Sequence, residues 1–436
     1  MLTAAASEPL IWDDAAETIP REQLAKIQLE RLRETIARVL RGQPLGAGRL
    51  ADAGIRGPDD VGTLDDLPKL PFAHKTDLRE NYPFGLLAVP REQIVRVQAS
   101  SGSHGKPTVV GYTRADLETW TELMARSMTM AGVRPGMLIH NANGYGLFTG
   151  GLGFHQGGER IGASVVPVSG GQTARQAMLI RDFGANVLVA TPSYSLVIAQ
   201  ALQDVGVAPE DNALELGLFG GEPWTEGLRT KIASALGIKA INFYGLSEMC
   251  GPGVATECLT ARDGLHVQED HFLVEVIDPA DGTPVPYGTD GELVFTTLTK
   301  EALPLIRYRT GDLGAITIEP CACGRTTARL IRLGGRRDDM MIIRGVNLYP
   351  SQIEQIMLAA DGVGPHYRLI LERPGPMDEL TLECEPSALD GDRAGLRQTL
   401  EKNLKEGTGV RITVSVVEPG SVPRSEGKAV RVVDRR

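Results

Sequence analysis

A glycine-containing segment, Ser100–Thr108 (SSGSHGKPT), follows a run of residues that predicts a strand. Its two glycines and small polar residues allow backbone N–H groups and hydroxyls to surround a phosphate group. The segment is not a Walker A loop, because Ser100 occupies the first glycine position and Pro107 replaces the serine or threonine. Taken alone, such a segment is more often an ordinary polar turn, so this interpretation needs support from other residues.

Two further segments carry residues that suit nucleotide binding. Tyr244 ends an apolar strand and can stack on a base, while Glu248 offers a carboxylate that can hold Mg²⁺ between phosphates. Asp312, in the sequence RYRTGD, has a short carboxylate that can accept hydrogen bonds from both hydroxyls of a ribose. The alternatives are a strand-end tyrosine with an exposed glutamate, and a turn in which Asp312 bonds its own backbone.

Two segments nearer the C-terminus combine glycine with charged residues. Gly335–Asp339 (GRRDD) precedes an apolar run, which suits a hinge between domains but also an ordinary surface turn. Lys428, in the sequence PRSEGK, is also compatible with a solvated lysine in a basic tail. No single motif in this chain is specific enough to indicate its function, so the function must be inferred from the combination of motifs.

Three cysteines and one histidine form a candidate metal site: Cys258, His266, Cys321 and Cys323. Four protein ligands of this kind make a closed, structural zinc site rather than a catalytic one. The Cys-x-Cys pair is a weaker signal than Cys-x-x-Cys, and the other two residues are distant in sequence. Spacing alone therefore leaves zinc binding open.

The elements that must position these residues alternate along the chain. Residues 20–41 predict an amphipathic helix, with an apolar face that includes Leu24, Leu32, Ile36 and Val39. Beyond it, short apolar runs alternate with helical stretches, which predicts a largely parallel sheet covered on both faces, with ligands at the carboxyl ends of its strands. The predicted strands are Ile94–Val97, Thr108–Tyr112, Ser164–Val168, Asn186–Ala190, Glu215–Phe219 and Ala240–Phe243; the helices are Arg114–Ala131, Ala174–Phe183 and Ser193–Val205.

The pattern of apolar and polar residues changes twice toward the C-terminus. From about residue 272, apolar and polar residues alternate around turn signals, which predicts antiparallel strands. After Arg336 the pattern predicts a small α+β domain joined by a tight hinge. The expected fold class is thus α/β, with a large N-terminal domain (1–337) of parallel sheets plus an antiparallel subdomain, and a small C-terminal domain (338–436). The elements expected in the latter are helices Ser351–Ala360 and Asp392–Lys405 and strands Tyr367–Leu371, Leu380–Glu385 and Val410–Val417.

Composition excludes several classes of protein. The chain has 436 residues, 42% of them hydrophobic and 23% charged, which is typical of a globular protein. A formal charge of −10 argues against nucleic-acid or anionic-membrane binding. No apolar run approaches the roughly 20 residues of a membrane span. The N-terminus lacks a basic secretory signal, and five cysteines in so long a chain suggest reduced thiols, so a cytoplasmic location is expected.

Ten stretches, in this order, resemble the adenylate-forming acyl-CoA synthetase superfamily and, most closely, its phenylacetate-CoA ligase family. The resemblance runs from about Ile11 to Arg436. It implies an enzyme that uses ATP, Mg²⁺ and coenzyme A to convert an aromatic carboxylic acid to its CoA thioester through an acyl-adenylate, and it suggests a homodimer. The stretches are SSGSHGKPTVVGYT, NGYGLFTGGLGFH, PVSGGQTARQ, ATPSYSL, GGEPW, YGLSE, ECLTARDGLHVQEDHF, RYRTGDL, GRRDDMMIIRGVNLYPSQIE and PRSEGKAVRVVDRR.

The resemblance also implies roles for individual residues. Lys428 would bridge the acid carboxylate and the α-phosphate in the adenylation step, and Glu248 would hold Mg²⁺. Asp338 would be the hinge about which the small domain rotates between the two half-reactions. Some members of the family carry a Cys/His cluster at positions that match Cys258, His266, Cys321 and Cys323, which implies a structural zinc. ATP or AMP would be bound by Ser101, Gly102, Ser103, Gly105 and Lys106 at the phosphates, Glu222 and Tyr244 at the adenine, Asp312 and Arg336 at the ribose, and by Gly245 and Ser247.

The acid pocket is the part of the resemblance in which this chain departs from the family pattern. Asn143 stands where phenylacetate-CoA ligases usually have an aromatic residue, and Gly221 replaces an alanine. Ser103-His104 replaces a pair of threonines in the phosphate segment. The acid is therefore expected to be phenylacetate or a substituted benzoate, and the departures at Asn143 and Gly221 favour a hydroxy- or amino-substituted benzoate. The implied pocket consists of Tyr145, Phe148, Gly221, Ile241, Pro252 and Asn143.

Two other functions remain compatible with the sequence. One keeps the adenylation step but transfers the acyl group to the phosphopantetheine arm of a carrier protein. The other is an inactive homologue that acts as a ligand-binding module. The presence of Lys428, Glu248 and Asp312 argues against the second, because a binding module has no need for a lysine directed at the α-phosphate.

Overall fold

The computed structural model describes residues 10–100, 107–375, 378–388, 392–425 and 427–436. The predicted phosphate-binding residues from Ser101 to Lys106 therefore lie outside the described residues. The helices are α1 (Asp14–Glu17), α2 (Arg21–Gly42), α3 (Pro44–Asp52), α4 (Lys75–Glu80), α5 (Arg114–Met130), α6 (Thr149–Ile161), α7 (Thr173–Phe183), α8 (Pro192–Asp204), α9 (Glu226–Leu236), α10 (Pro350–Leu358) and α11 (Arg393–Thr408).

Most of the strands join into one large sheet, and the rest form smaller sheets. The strands are β1 (Arg96–Ser100), β2 (Thr108–Tyr112), β3 (Leu138–Asn141), β4 (Ser164–Val166), β5 (Val187–Ala190), β6 (Leu216–Gly220), β7 (Lys239–Leu246), β8 (Gly251–Glu257), β9 (Leu265–Val267), β10 (Phe272–Ile277), β11 (Gly291–Thr297), β12 (Tyr308–Thr317), β13 (Arg329–Arg336), β14 (Met341–Ile343), β15 (Val346–Leu348), β16 (Val363–Glu372), β17 (Glu379–Pro386), β18 (Thr413–Val416) and β19 (Val432–Asp434).

One half of the large sheet is parallel, as the alternation of strands and helices predicts. Its order is β4-β3-β5-β6-β7, and four of the predicted strands belong to it. A fifth strand, β3, was not predicted, because it is only four residues long and its last two residues, His140 and Asn141, are polar. The carboxyl ends of β5, β6 and β7 lead into the segments that carry Thr191, Glu222 and Glu248.

The first two predicted strands do not join the parallel sheet. β1 and β2 pair with each other in a separate antiparallel sheet, with Ser100 opposite Thr108. Parallel neighbours need a crossover of a dozen or more residues, whereas only residues 101–107 separate these two strands. The prediction of a parallel arrangement was wrong for this pair, and the short connection is the physical reason.

The other half of the large sheet is antiparallel and continues in the order β8-β9-β13-β12-β11-β10. The change of direction occurs at β7–β8, before residue 272, so this region begins earlier than predicted. The register places Asp312 on β12 opposite Arg336 on β13. The antiparallel half thus carries two of the predicted nucleotide-binding residues opposite each other on neighbouring strands.

The C-terminal part contains a four-stranded sheet in the order β18-β17-β16-β19, with helices α10 and α11 packed together. The predicted helices and strands of this region are present, with bounds shifted by a few residues. Helix α10 also packs on α9 of the large part, and the position of a Cβ on Gly227 would lie 3.1 Å from Leu358 Cβ. One apolar core therefore runs from the parallel sheet into the C-terminal part. Among the described residues, no helix combines the length and apolar character needed to cross a membrane.

Candidate active site

Asp312 is held by two side chains that come from different strands. Tyr244 Oη, on β7, donates to Asp312 Oδ2 (2.6 Å), and Arg336 Nη1, on β13, donates to Oδ1 (2.7 Å). The backbone N–H of Asp312 donates to Thr310 Oγ1 (2.9 Å), so the carboxylate does not close its own turn. Burial raises the pKa of Asp312, and the Arg336 charge opposes that shift. The result is a fixed carboxylate at the junction of the two halves of the sheet.

Glu248 lies just after β7 and is buried, not exposed as its alternative interpretation required. Tyr308 Oη, on β12, donates to Glu248 Oε1 (3.1 Å). The fully buried ammonium group of Lys300 donates to the carbonyl oxygens of Glu248 (3.0 Å) and Met249 (2.6 Å). Both the carboxylate and the backbone of Glu248 are therefore fixed. Burial lowers the pKa of Lys300, whose Nζ also lies 5.1 Å from the centre of the Tyr112 ring.

Lys428 enters this region from the C-terminal part. Its Cε lies 3.7 Å from the position that a Cβ on Gly221 would occupy. Lys428 remains exposed, but desolvation of its ammonium group lowers its pKa, an effect that Arg336 reinforces and that Glu222, Asp312 and Glu248 oppose. Lys428 is thus not an isolated lysine in a basic tail, because its stem lies beside Gly221 and the backbone N–H of the next residue, Ala429, donates to Glu222.

Glu222 follows β6, and both of its carboxylate oxygens accept hydrogen bonds from the backbone. Ser193 N–H donates to Oε1 (2.7 Å), and Ala429 N–H donates to Oε2 (2.8 Å). The structure therefore places Glu222 beside the segment that carries Lys428. Its predicted contact with adenine stays a prediction.

The ends of β1 and β2 lie at either side of residues 101–107. Ser100 Oγ and Thr108 Oγ1 are buried and have no hydrogen-bond partner among the described residues. On the same hairpin, Ala99 N–H donates to Leu147 O (2.8 Å) and Gln98 Nε2 donates to Phe148 O (2.9 Å). These two hydroxyls therefore lie at the ends of the predicted phosphate segment.

The predicted acid pocket contains a chain of polar contacts around Tyr145. Asn141 Nδ2 donates to Tyr145 Oη (2.8 Å), which also lies 3.1 Å from His155 Nδ1. His155 Nε2 lies 3.1 Å from a carboxylate oxygen of Glu159. Burial raises the pKa of Tyr145 to about 12, so its hydroxyl keeps its proton at neutral pH. Asn143 donates its backbone N–H to Asn141 Oδ1 (3.2 Å).

The other predicted pocket residues differ in their exposure. Phe148 is 51% exposed, and Gly221 is exposed with a φ of +85°, a conformation that favours glycine. Pro252 packs against α6, where its Cγ lies 2.9 Å from the Cβ position of Gly153. Ile241 belongs to β7 and has none of its surface exposed. The structure therefore places Ile241 in the core of the large part rather than in an open pocket.

Asp338 lies in a short 3₁₀ helix, Arg337–Asp339, between β13 and β14. Its side chain is 71% exposed, and its carboxylate is 3.4 Å from Arg336 Nη2. Arg336 thus contacts both Asp312 and Asp338. The segment that joins the large part to the C-terminal part is short, polar and exposed.

The four candidate zinc ligands come together, with donor atoms that all lie within 4.8 Å of one another. Cys258 Sγ is 3.8 Å from Cys321 Sγ, and Cys323 Sγ is 3.4 Å from His266 Nε2. His266 Nδ1 pairs with Thr327 Oγ1 (3.0 Å), which leaves Nε2 facing the thiols. A hydrogen bond with Cys258 lowers the pKa of the Cys323 thiol to about 7. Because these residues are distant in sequence, their spacing could not show that they meet. The pairing of strands in the sheet brings them together.

Comparisons with known proteins agree with this geometry. Residues 60–298 match the family described as AMP-binding enzyme, and residues 345–436 match the AMP-binding enzyme C-terminal domain. The chain is 50% identical to the phenylacetate-coenzyme A ligase of Thermus thermophilus over 445 residues, which covers 98% of this chain and 100% of that protein. The chain belongs to the phenylacetate-CoA ligase family. It is 48% identical to the family member from Escherichia coli K12, with 97% of each chain covered, and is thus an AMP-forming acid–thiol ligase.

A solved structure shows which arrangement of its two parts this member of the family adopts. The structure of 2-hydroxyisobutyryl-CoA ligase in the postadenylation state, in complex with 2-HIB-AMP, has a TM-score of 0.93 at 32% identity and covers 100% of this chain and 94% of that chain. The same ligase in the thioesterification state has a TM-score of 0.73, with 99% and 94% of the chains covered. The present arrangement therefore resembles the postadenylation state.

Sequence reasoning missed the side chains that hold the carboxylates in place. Tyr308 lies in the quoted motif RYRTGDL, but no spacing rule connects it to Glu248. Lys300 lies in no motif and reads as an ordinary charged residue at a turn. The only signal available in the sequence was a lysine followed two residues later by an apolar run (ALPLI), and it is a weak one.

Proposed function

We propose that this chain activates an aromatic carboxylic acid with ATP and transfers it to coenzyme A. In the first half-reaction the acid carboxylate attacks the α-phosphate, which gives an acyl-adenylate and pyrophosphate. In the second, the CoA thiol attacks the acyl-adenylate, which gives the thioester and AMP. The observation that carries this proposal is the position of Lys428, which the C-terminal part places beside Gly221 and Glu222 at the carboxyl end of β6.

The charges at this site suit the first half-reaction. Attack of one anion on another concentrates negative charge, which the ammonium group of Lys428 would stabilise as a point charge in the transition state. Asp312, fixed by Tyr244 and Arg336, offers oxygen atoms that can accept hydrogen bonds from ribose hydroxyls. The segment from Ser101 to Lys106 would bind the phosphates, and the hydroxyls of Ser100 and Thr108 lie at its two ends.

Glu248 fits the role of a magnesium ligand. Its buried carboxylate has one oxygen bound by Tyr308, and no arginine or lysine side chain among the described residues is hydrogen-bonded to it. Mg²⁺ takes carboxylate and phosphate oxygens as ligands and, when bound, neutralises charge on the phosphates. Lys300 would keep the backbone of Glu248 in place through its two carbonyl contacts.

The acid is proposed to bind beside Tyr145. Relatives at 47–50% identity are named phenylacetate-coenzyme A ligases, which supports an aryl acid as substrate. The polar Asn143 and the small Gly221 support a ring that carries a hydroxyl or amino group. A panel of phenylacetate, benzoate and their hydroxy and amino derivatives separates these cases by kcat/KM. A clear preference for unsubstituted phenylacetate would contradict the substituted-acid proposal.

We also propose that Cys258, His266, Cys321 and Cys323 bind a structural zinc. The residues fit the metal, because zinc–sulfur bonds of about 2.3 Å in a tetrahedral site place two sulfur atoms about 3.8 Å apart. The measured Cys258–Cys321 distance is 3.8 Å. The ion would tie the end of β8 and strand β9 to the turn between β12 and β13.

The two parts of the chain are proposed to be 1–337 and 338–436, with movement about Asp338. A cytoplasmic location and a homodimer remain predictions from the sequence.

The decisive experiment measures pyrophosphate release from ATP and Mg²⁺ with each aryl acid, with and without CoA. Acid-dependent release that turns over only with CoA is the expected result. Release indifferent to CoA would indicate a carrier protein as acceptor, and no release with any acid would contradict the enzyme proposal.

A further inference from the structure

The residues on both sides of Lys428 are hydrogen-bonded to one small region of the large part. Gly427 O accepts hydrogen bonds from Thr191 Oγ1 (2.9 Å) and Ser193 Oγ (3.4 Å). On the other side, Ala429 N–H donates to Glu222 Oε2 (2.8 Å). The backbone before and after Lys428 is thus fixed at two points. We call Thr191, Ser193 and Glu222 the lysine dock.

The hydroxyl of Thr191 makes a different hydrogen bond from those of two other threonines at helix N-cap positions. Thr113 and Thr225 occupy the N-cap positions of α5 and α9, and each accepts a hydrogen bond from the first turn of its own helix. Thr191 occupies the same position before α8, but its side chain makes no such bond. Its hydroxyl donates to Gly427 instead, and Glu222 accepts from Ser193 N–H in the first turn of α8. The usual helix cap is thus replaced by a contact with the C-terminal part.

The Lys428 side chain also lies against this region. Its Cε is 3.7 Å from the position of a Cβ on Gly221, which is an ordinary van der Waals distance. Glu222 follows Gly221 immediately in the chain and accepts the hydrogen bond from Ala429 N–H. Two neighbouring residues therefore contact the lysine stem and the backbone behind it.

These contacts belong to one arrangement of the two parts. The chain superimposes on the postadenylation state of 2-hydroxyisobutyryl-CoA ligase with a TM-score of 0.93 and on its thioesterification state with 0.73. Hydrogen bonds between Thr191 or Glu222 and the residues beside Lys428 require the present arrangement. They can therefore stabilise one half-reaction without contributing to the other.

We propose that Thr191 and Glu222 are positioning residues that dock the Lys428 segment for adenylation and are not used in thioester formation. The inference rests on the proposed function, since it assigns Lys428 to the first half-reaction. Thr191 acts through the backbone of the segment and needs no contact with ATP or the acid. The dock thus adds a specific energetic bias toward one arrangement of the two parts.

The test compares Thr191→Val, Thr191→Ser and a control, Thr230→Val, an exposed threonine on α9. We measure acid-dependent ATP–pyrophosphate exchange and, separately, thioester formation from CoA and a supplied acyl-adenylate. For Thr191→Val, adenylation should fall roughly five- to tenfold in kcat with little change in KM for ATP, since one hydrogen bond is lost. Thioester formation should stay within about twofold of the wild-type rate, and Thr191→Ser should restore adenylation.

A second measurement does not depend on catalysis. Amide hydrogen exchange of the segment that contains Ala429 should be faster in Thr191→Val than in the wild type or Thr191→Ser. Equal loss of both half-reactions, or unchanged adenylation and exchange, would overturn the dock. A wild-type enzyme that is inactive in both half-reactions would overturn the proposed function itself, and the dock with it. If Thr191→Val does not fold, hydrogen exchange increases throughout the chain, and Thr191→Ser then decides the outcome. Wild-type adenylation and exchange in Thr191→Ser support the dock. A loss of adenylation in Thr191→Ser overturns it.

Discussion

Lys428 is the residue whose removal should separate the two half-reactions. In Lys428→Ala, adenylation should fall by roughly 100- to 1,000-fold, the usual effect of removing a group that stabilises developing charge. Thioester formation from a supplied acyl-adenylate should be nearly unchanged. Rapid-quench assays of each half-reaction measure both rates. Equal loss in the two would remove Lys428 from its proposed role.

The same residue should determine how adenylation depends on pH. Desolvation of the ammonium group lowers the pKa of Lys428 below its ordinary value of 10.5. The protonated form, which carries the useful charge, is therefore lost as pH rises through a value below 10.5. We expect the rate of ATP–pyrophosphate exchange to decline on the alkaline side in that range. The residual activity of Lys428→Ala should lack this decline, and a decline shared by the variant would assign it to another group.

Tyr308 should affect the use of magnesium, because its hydroxyl orients the Glu248 carboxylate. In Tyr308→Phe, the Mg²⁺ concentration needed for half-maximal adenylation should rise roughly three- to tenfold, the effect of one hydrogen bond to a charged group. Tyr112→Phe is the matched control, since the Tyr112 hydroxyl is equally buried but donates to the carbonyl of Cys250. Its Mg²⁺ dependence should equal that of the wild type. A rise of the same size in both variants would mean a general loss of packing.

At the scale of elements, the zinc cluster depends on three segments that meet through strand pairing: the end of β8, strand β9 and the turn between β12 and β13. Purified enzyme should contain about one zinc per chain by elemental analysis, as a four-ligand structural site requires. Cys323→Ser should lose most of this zinc and unfold at a lower temperature. Cys384→Ala removes a buried cysteine from the C-terminal core and should keep the metal even though it loses stability. A zinc-free wild-type protein prepared without chelators would contradict this proposal.

The elements also show how far the sequence alone could go. Parallel strands such as Asn186–Ala190 and Glu215–Phe219 could be predicted because both faces of this sheet are covered, which makes their sequences largely apolar. The Ile94–Val97 and Thr108–Tyr112 runs are similarly apolar but pair as an antiparallel hairpin. Only the shortness of the connection between them indicates this pairing. The zinc ligands could be named from residue types, whereas their convergence depends on pairing between β8, β9 and β13. Local patterns therefore predict the elements better than the partners of each element.

At the scale of the whole molecule, the site is assembled from residues that no local rule connects. The Tyr244–Asp312 contact joins β7 to β12, and the Lys428 segment arrives from the C-terminal part. Motif resemblance named these residues from the sequence, but the hydroxyls of Tyr308 and Thr191 gain their roles only from packing. Thr191 in particular contacts a residue 236 positions away in the chain. Such contacts depend on the arrangement of the two parts, which the sequence does not encode locally.

The last prediction concerns the movement between these parts. Asp338 lies in an exposed connecting segment, and proline there would fix φ near −65° and restrict rotation. In Asp338→Pro, thioester formation should fall at least roughly tenfold while adenylation stays close to the wild-type rate, since the present arrangement is the one that resembles the postadenylation state. Asp338→Ala is the matched control, because it removes the contact with Arg336 but leaves the backbone free to rotate. Near-normal rates of both half-reactions in Asp338→Ala would assign the proline effect to restricted rotation, whereas equal loss of thioester formation in the two variants would place the hinge elsewhere in the segment.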